Sequence, residues 1–266
     1  MSLTEILYEL REGVATITLN RPERLNAWTS VMEAELREAL GQAAGDDAFK
    51  VIVITGAGRG FCAGADMSRL QGRVDGDAPA AAPQPADAGA AADRRLLYII
   101  GIPKPVIAAI NGPVAGIGLC MTLFCDIRLI AEGAKLTTAF AERGLIAEYG
   151  SAWLLPRLVG PMNALTLFYS ARPIDGAAAA ALGLARLLPA EGFGEAVQAF
   201  AAGIAARSSP RSLRIIKRQV YEALDMDLSE AAAIAEQEMM SSFESEDFRE
   251  GVAHYVEKRP AQFSGR

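Results

Sequence analysis

Near the middle of the chain, an apolar run passes through a proline and two closely spaced glycines into a second apolar segment. The run KPVIAAING, residues 104–112, has the length and composition of a buried strand. The segment PVAGIGLCMTLFCD, residues 113–126, is apolar on every side and predicts a buried helix over about 116–124. So small a backbone at this junction suits a bound anion, a carbonyl oxygen or only close packing, and this stretch alone does not choose among them.

Strand patterns alternate with helix patterns through the first half of the chain. The sequence predicts strands at 14–20, 50–56 and 105–110, and a strand, turn and second strand within 126–138. Between the first two strands, Thr29 or Ser30 would cap a helix that reaches about Ala44. The continuous β-branched run at 50–56 is typical of a strand covered on both faces, and the alternation indicates an α/β fold.

The remaining chain is predicted to be mostly helical. Residues 72–93 are rich in Ala, Pro, Gly and Asp and indicate a mobile surface segment, followed by a helix over about 94–101. A change in composition near residue 205 divides a core at 1–204 from a helical region at 205–266. That region starts at Ser209-Pro210 and is amphipathic to about Tyr255. Its apolar stripe consists of Leu213, Ile216, Val220 and Leu224.

Composition narrows the function classes. The chain has 266 residues and a net charge of −6, which argues against nucleic acid as the main partner because phosphate neutralisation needs a basic face. No apolar run approaches the length of a membrane span, and the opening MSLTEILYELREG lacks the pattern of a signal peptide. Three cysteines without C-x-x-C spacing make a disulfide framework improbable and favour a reducing, cytoplasmic location.

Several chemistries lack the residues they need. The one histidine, His254, stands in a predicted surface helix, and the chain has no G-x-S-x-G motif for a nucleophilic serine. One histidine and three scattered cysteines do not give the spacing of a metal site. The loop GAGRGF after the strand at 50–56 completes neither nucleotide-binding fingerprint, so dinucleotide binding is disfavoured.

Two strand-to-helix junctions share one feature. FCAGADM, residues 61–67, and NGPVAGIGLC, residues 111–120, each offer glycine-flanked backbone amides at the start of a helix. Two such amides converging on one point would form an oxyanion hole, to which the helix dipoles add positive potential. For either loop alone, turn formation and close helix packing would be the simpler explanation. The presence of both favours the oxyanion hole.

Five sequence blocks, taken in order, resemble the signatures of the crotonase (enoyl-CoA hydratase/isomerase) superfamily. The blocks are NRPERLNAW, GAGRGFCAGADM, KPVIAAINGPVAGIG, CDIRLIAEGAKL and GLIAEYGSAWLLPRLVG, and the likeness runs from about residue 13 to EKRPAQFSG. The resemblance implies an α/β spiral of ββα units of the ClpP/crotonase type. It also implies acyl-CoA thioester substrates and a helical C-terminal part that forms trimers or hexamers. Many reactions share this fold, so the blocks specify the fold better than the reaction.

The resemblance also assigns roles to individual residues. The amides of Ala65 and Ile117 would hold the thioester carbonyl, and Asp66 would order its loop. Coenzyme A would enter as part of the substrate, with no permanently bound cofactor and no metal. The residues that would line the pantetheine and adenine are Arg24, Leu25, Ala27, Ala63 and Met67. Lys258 or Arg259 would meet a phosphate, of the same or of a neighbouring subunit, or would only form a solvated helix end.

The positions of the two hydratase glutamates set the expected reaction. In this sequence they hold Cys120 and Phe140, and Glu142 is two residues out of place. Glu148 stands where Δ3-Δ2 enoyl-CoA isomerases keep their single catalytic glutamate. The resemblance therefore favours isomerisation with Glu148 as the only acid and base, and Cys120 as a packed thiol. The alternatives are a hydratase, lyase or hydrolase in which Glu148 acts on water, and a non-catalytic acyl-CoA-binding module.

Overall fold

A six-stranded sheet forms the centre of the molecule in the computed structural model, which describes residues 3–67, 71–72 and 96–266. The strand order is β1-β2-β3-β4-β6-β9, and a smaller sheet has the order β5-β7-β8. The strands are β1 (Ile6–Arg11), β2 (Val14–Leu19), β3 (Val51–Gly56), β4 (Val106–Ile110), β5 (Val114–Ala115), β6 (Ile127–Ala131), β7 (Lys135–Thr137), β8 (Ile174–Asp175) and β9 (Arg186–Leu188).

The large sheet is parallel except at its first edge. β1 pairs antiparallel with β2, and each later pair, from β2 with β3 to β6 with β9, is parallel. All five residues of β4 are buried, and so are five of the six in β3. This burial explains why both strands read as continuous apolar runs, since helices cover a parallel sheet on both faces.

The helices follow the strands and dominate the second half. Those that the structure describes are α1 (Ser30–Gly45), α2 (Ile117–Phe124), α3 (Ser151–Val159), α4 (Pro161–Ser170), α5 (Gly176–Ala181), α6 (Phe193–Arg207), α7 (Pro210–Glu222), α8 (Leu228–Phe243) and α9 (Glu246–Glu257). Every residue of α2 is buried, as its apolar sequence predicts. Within the described ranges, no helix is both long enough and apolar enough to cross a membrane.

Several predictions of local structure need correction. The helix predicted over 94–101 begins outside the described residues, and the described part contains only a 3-10 turn, Leu97–Ile99. Apart from Gly72, the predicted surface segment at 72–93 lies outside the described residues. The strand β1 and the very short strands β5, β8 and β9 had no counterpart in the prediction. Because two or three residues cannot show a periodicity, the short ones are set by tertiary pairing.

The C-terminal region is three helices where the sequence pattern suggested one amphipathic stretch. Asp227 starts α8 with a capping box to Glu230, and Ser245 caps α9. Position 205 lies in the last turn of α6, whose Ala205 packs in the main core. The division into a core at 1–204 and a helical region for self-association at 205–266 stays a prediction.

A buried lysine joins α7 to the core. Lys217 Nζ lies 2.9 Å from Asp126 Oδ2, 3.1 Å from the carbonyl oxygen of Lys104 and 3.3 Å from that of Ile99. Asp126 also accepts from the Tyr221 hydroxyl at 3.0 Å and from the Val106 amide at 2.7 Å. Three acceptors match the three protons of the ammonium group, which is what makes its burial tolerable.

We expect Lys217→Met to lower the free energy of unfolding by about 3 kcal/mol, because it leaves the partly buried carboxylate of Asp126 without its ion-pair partner. Arg218→Met is the matched control on the same helix, since that side chain is about half exposed and pairs with Glu222 and Glu238. Its loss should stay below about 1 kcal/mol, as for other exposed ion pairs. Urea unfolding of both variants measures the difference, and equal losses would contradict a special role for Lys217.

Candidate active site

The first glycine loop is fixed by the segment that precedes α1. The amide of Trp28 donates to the Gly64 carbonyl at 2.8 Å, and the Asp66 amide donates to the Trp28 carbonyl at 3.1 Å. This pairing uses the residues on either side of Ala65. Since successive peptide groups of an extended chain point in opposite directions, the amide of Ala65 faces away from Trp28.

The second glycine loop connects β4 to α2. Gly116 has φ 51° and ψ −122°, a conformation that only glycine adopts readily, and α2 begins at the next residue, Ile117. The amide of Ile117 belongs to the first turn of the helix, where no earlier helical carbonyl can accept its hydrogen bond. It is therefore available to a bound group.

The two loops touch each other through their glycines. A methyl group on Gly64 would lie 3.3 Å from the Ala115 carbonyl oxygen, and one on Gly116 would lie 3.9 Å from the Gly64 Cα. A methyl group on Gly118 would come within 2.7 Å of the Cβ and the carbonyl oxygen of Cys62. Close packing is thus part of the reason for the small backbone, and it brings Ala65 and Ile117 to one place.

Ala65 and Ile117 both line a cleft of about 670 Å³. The predicted site residues that also line it are Arg24, Ala27, Ala63, Met67 and Glu148. Leu25 and Lys258 do not. The side chain of Leu25 packs on Gly60, and its carbonyl accepts from the Ala63 amide at 3.0 Å. Lys258 caps the end of α9 in a left-handed conformation.

Glu148 lies in the loop that leads into α3. Its carbonyl oxygen accepts from the Ser151 amide at 2.9 Å and from the Cys120 thiol at 3.7 Å, which ties this loop to α2. The next residue, Tyr149, has φ 52° and also lines the cleft. Glu148 is partly buried, and it lines the cleft that Ala65 and Ile117 share.

The two positions expected to carry hydratase glutamates hold buried residues without a carboxylate. Cys120 is fully buried and lies outside the cleft lining. Phe140 is only 4% exposed, lines the cleft and packs against Phe168 with 6.4 Å between ring centroids. Neither position presents a polar group to a substrate.

The cleft has further lining residues that the sequence reasoning did not single out. They are Trp28, Thr138, Arg143 and Leu145. Trp28 and Leu145 stand in recognised sequence blocks, which could have signalled them, whereas Thr138 and Arg143 lie outside all five blocks. His254 lies on α9 with its ring edge-on to Phe263, so it takes no part in this cleft.

The cysteines are poor nucleophiles in this fold. Burial raises the pKa of Cys62, Cys120 and Cys125 to about 12. At pH 8 only roughly one thiol in 10⁴ would be ionised, and the thiolate is the reactive form.

We therefore expect iodoacetamide at pH 8 to leave all three cysteines unmodified in the native protein and to alkylate all three in urea. Mass spectrometry of the two samples gives the count. Rapid native alkylation of Cys120 would contradict its assignment as a packed thiol.

Comparison with known proteins identifies the family of this chain. The sequence profile of the enoyl-CoA hydratase/isomerase family matches residues 9–266. A 1,2-epoxyphenylacetyl-CoA isomerase from Escherichia coli (strain K12) is 35% identical, with 98% of each chain covered. A probable enoyl-CoA hydratase from Rhodobacter capsulatus is 36% identical, with 100% of each chain covered.

Solved structures give the same result. A probable enoyl-CoA hydratase/isomerase from Mycobacterium abscessus is 32% identical with a TM-score of 0.87, covering 98% of this chain and 99% of its own. An enoyl-CoA hydratase from Bacillus anthracis is 28% identical with a TM-score of 0.88, covering 99% of this chain and 100% of its own. The predicted crotonase-type α/β fold is confirmed, and the chain belongs to the enoyl-CoA hydratase/isomerase family of enzymes.

Proposed function

We propose that this enzyme isomerises a 3-enoyl-CoA to the 2-enoyl-CoA, with Glu148 as the single acid and base. The observation that carries the proposal is that Glu148 lines the same cleft as Ala65 and Ile117, while the two hydratase positions hold Cys120 and Phe140. Of the other acidic side chains, Asp66 also lines the cleft, but an ion pair with Arg21 occupies it.

The reaction needs one proton to move. The Glu148 carboxylate removes a proton from C2, and the electron pair of that bond delocalises onto the thioester oxygen as a dienolate. The amides of Ala65 and Ile117 donate hydrogen bonds to this oxygen, each worth about 3 kcal/mol in comparable sites. Protonated Glu148 then returns the proton to C4, so that the C3–C4 double bond is lost and the C2–C3 double bond forms.

Coenzyme A enters this scheme as part of the substrate. We assign the rim of Arg24, Ala27, Ala63 and Met67 to its pantetheine and adenine portions, since these residues line the cleft beside Ala65. Arg24 supplies positive charge for a phosphate. Leu25 supports this rim from behind through its hydrogen bond to Ala63.

We also propose that the chain self-associates as a trimer or a pair of trimers. Three residues of the predicted stripe are exposed in the single chain: Ile216 at 54% and Val220 at 59% on α7, and Leu224 at 43% in the 3-10 turn that follows it. A row of apolar side chains on one helix face is typical of a contact surface. A monomeric mass in light scattering at micromolar concentration would contradict this proposal.

For the mechanism, we expect Glu148→Gln to lower turnover of a 3-enoyl-CoA by a factor of roughly 10² to 10⁴, the scale of general-base catalysis. Thioester binding should survive, because the oxyanion donors are backbone amides. Glu142→Gln is the matched control, since Glu142 is exposed and does not line the cleft. Full activity in Glu148→Gln would end the proposal.

The main alternative is hydration, and the names of the relatives justify testing it. They include a probable enoyl-CoA hydratase and a crotonyl-CoA hydratase, besides the 1,2-epoxyphenylacetyl-CoA isomerase. A panel of 3-enoyl-, 2-enoyl-, 3-hydroxyacyl- and 1,2-epoxyphenylacetyl-CoA therefore separates the reactions. With a 3-enoyl-CoA in D₂O, a single acid and base should return the proton taken from C2 to C4 in a fraction of the turnovers, without exchange with solvent. Rapid hydration of 2-enoyl-CoA, lost in Glu148→Gln, would instead favour the hydratase.

A further inference from the structure

Arg21 is a partly buried arginine directly behind the first glycine loop. Its side chain does not line the cleft and is 19% exposed. One guanidinium nitrogen, Nη1, lies 2.7 Å from the Ala27 carbonyl oxygen and 2.9 Å from Asp66 Oδ2. On its other side, Nε lies 3.3 Å from Glu5 Oε1. A single planar group thus contacts three separate segments of the chain.

Two of these segments form the frame around Ala65. Ala27 precedes Trp28, which pairs with Gly64 and Asp66 through its backbone. Arg21 therefore joins Ala27 to Asp66 through its side chain, and the backbone of Trp28 joins the same two segments through hydrogen bonds. We call these two contacts of Arg21 the clamp. Without the clamp, only the backbone pairing with Trp28 would hold the residues on either side of Ala65.

The third segment gives the clamp a fixed base. The second carboxylate oxygen of Glu5 accepts from the Thr29 hydroxyl, and Thr29 Oγ1 caps α1 through the Met32 amide at 3.0 Å. The main chain of Glu5 is itself held by Glu35 of α1, at 2.8 Å. Arg21 is thus tied to the start of a 16-residue helix, which leaves it little freedom.

We infer that Arg21 is a positioning residue that holds the amide of Ala65 at the place where the thioester oxygen gains charge. The inference rests on the proposed function, because it assigns the Ala65 amide to that oxygen. The geometry suits arginine because its fork can hold a carbonyl and two carboxylates at fixed angles, which a lysine ammonium cannot. Displacing a catalytic donor by about 1 Å can reduce the rate by about a hundredfold.

The test measures the oxyanion hole directly with cinnamoyl-CoA, a thioester whose absorption moves to longer wavelength when hydrogen bonds polarise its carbonyl. We expect wild type to show this red shift and Arg21→Gln to lose most of it, with turnover lowered about tenfold to hundredfold. The dissociation constant should change by less than about threefold, because most binding contacts of coenzyme A lie elsewhere on the ligand. Arg21→Lys should keep less than half of the shift.

Arg11→Gln is the matched control, since Arg11 pairs with Glu195 on the surface, where its side chain is 48% exposed. It should keep both the shift and the turnover. If Arg21→Gln does not fold, Asp66→Asn removes the charge that Arg21 holds in the loop and should give the same loss of shift.

The outcomes separate this inference from the assignment of Glu148. Glu148→Gln should keep the red shift, because it leaves both amides in place. A full shift in a folded Arg21→Gln, or no shift in wild type, overturns the positioning role whatever Glu148 does. Loss of the shift in Arg21→Gln together with full turnover in Glu148→Gln would leave the positioning role standing and remove the proposed base.

Discussion

The close contact between the two glycine loops determines where everything else in the cleft can lie. One loop leaves β3 and the other leaves β4, and these adjacent parallel strands end at the same edge of the sheet. Backbone hydrogen bonds join the loops at Cys62, whose carbonyl accepts from the Ala115 amide at 2.9 Å. With this contact made, Ala65 and Ile117 are neighbours at the wall of the cleft, and their positions depend on main-chain packing more than on any side chain.

The parts of the fold that could be predicted from the sequence are those with a strong local pattern. β3 and β4 are continuous apolar runs because residues on both of their faces are buried, and α2 is apolar all round because it is buried all round. The two glycine-flanked strand-to-helix junctions were also visible in the sequence, and Ala65 and Ile117, one from each, line the same cleft. These features depend on a few consecutive residues, so the sequence displays them directly.

Other features depend on distant parts of the chain and left no local sign. Lys217 is a charged residue on the same face of α7 as Leu213 and Val220, yet it is the residue of that helix that the core buries. Its burial requires Asp126 and two backbone carbonyls from elsewhere in the fold. The same holds for Arg21, whose partners Glu5 and Asp66 are 16 and 45 residues away. Leu25 shows the converse, since a motif position alone does not say that a side chain reaches the cleft.

The ring of Phe140 limits how this cleft could acquire a second acidic group. It packs against Phe168 and is only 4% exposed, in surroundings where a carboxylate would lose its hydration. A glutamate at this position would therefore be accommodated only if the neighbouring aromatic packing changed with it. Whether this cleft can hold a second acid thus depends on Phe140 together with the residues packed against it. Ancestral substitutions that interconvert reactions in such a cleft should accordingly occur in sets, with repacking of the wall preceding the new acid.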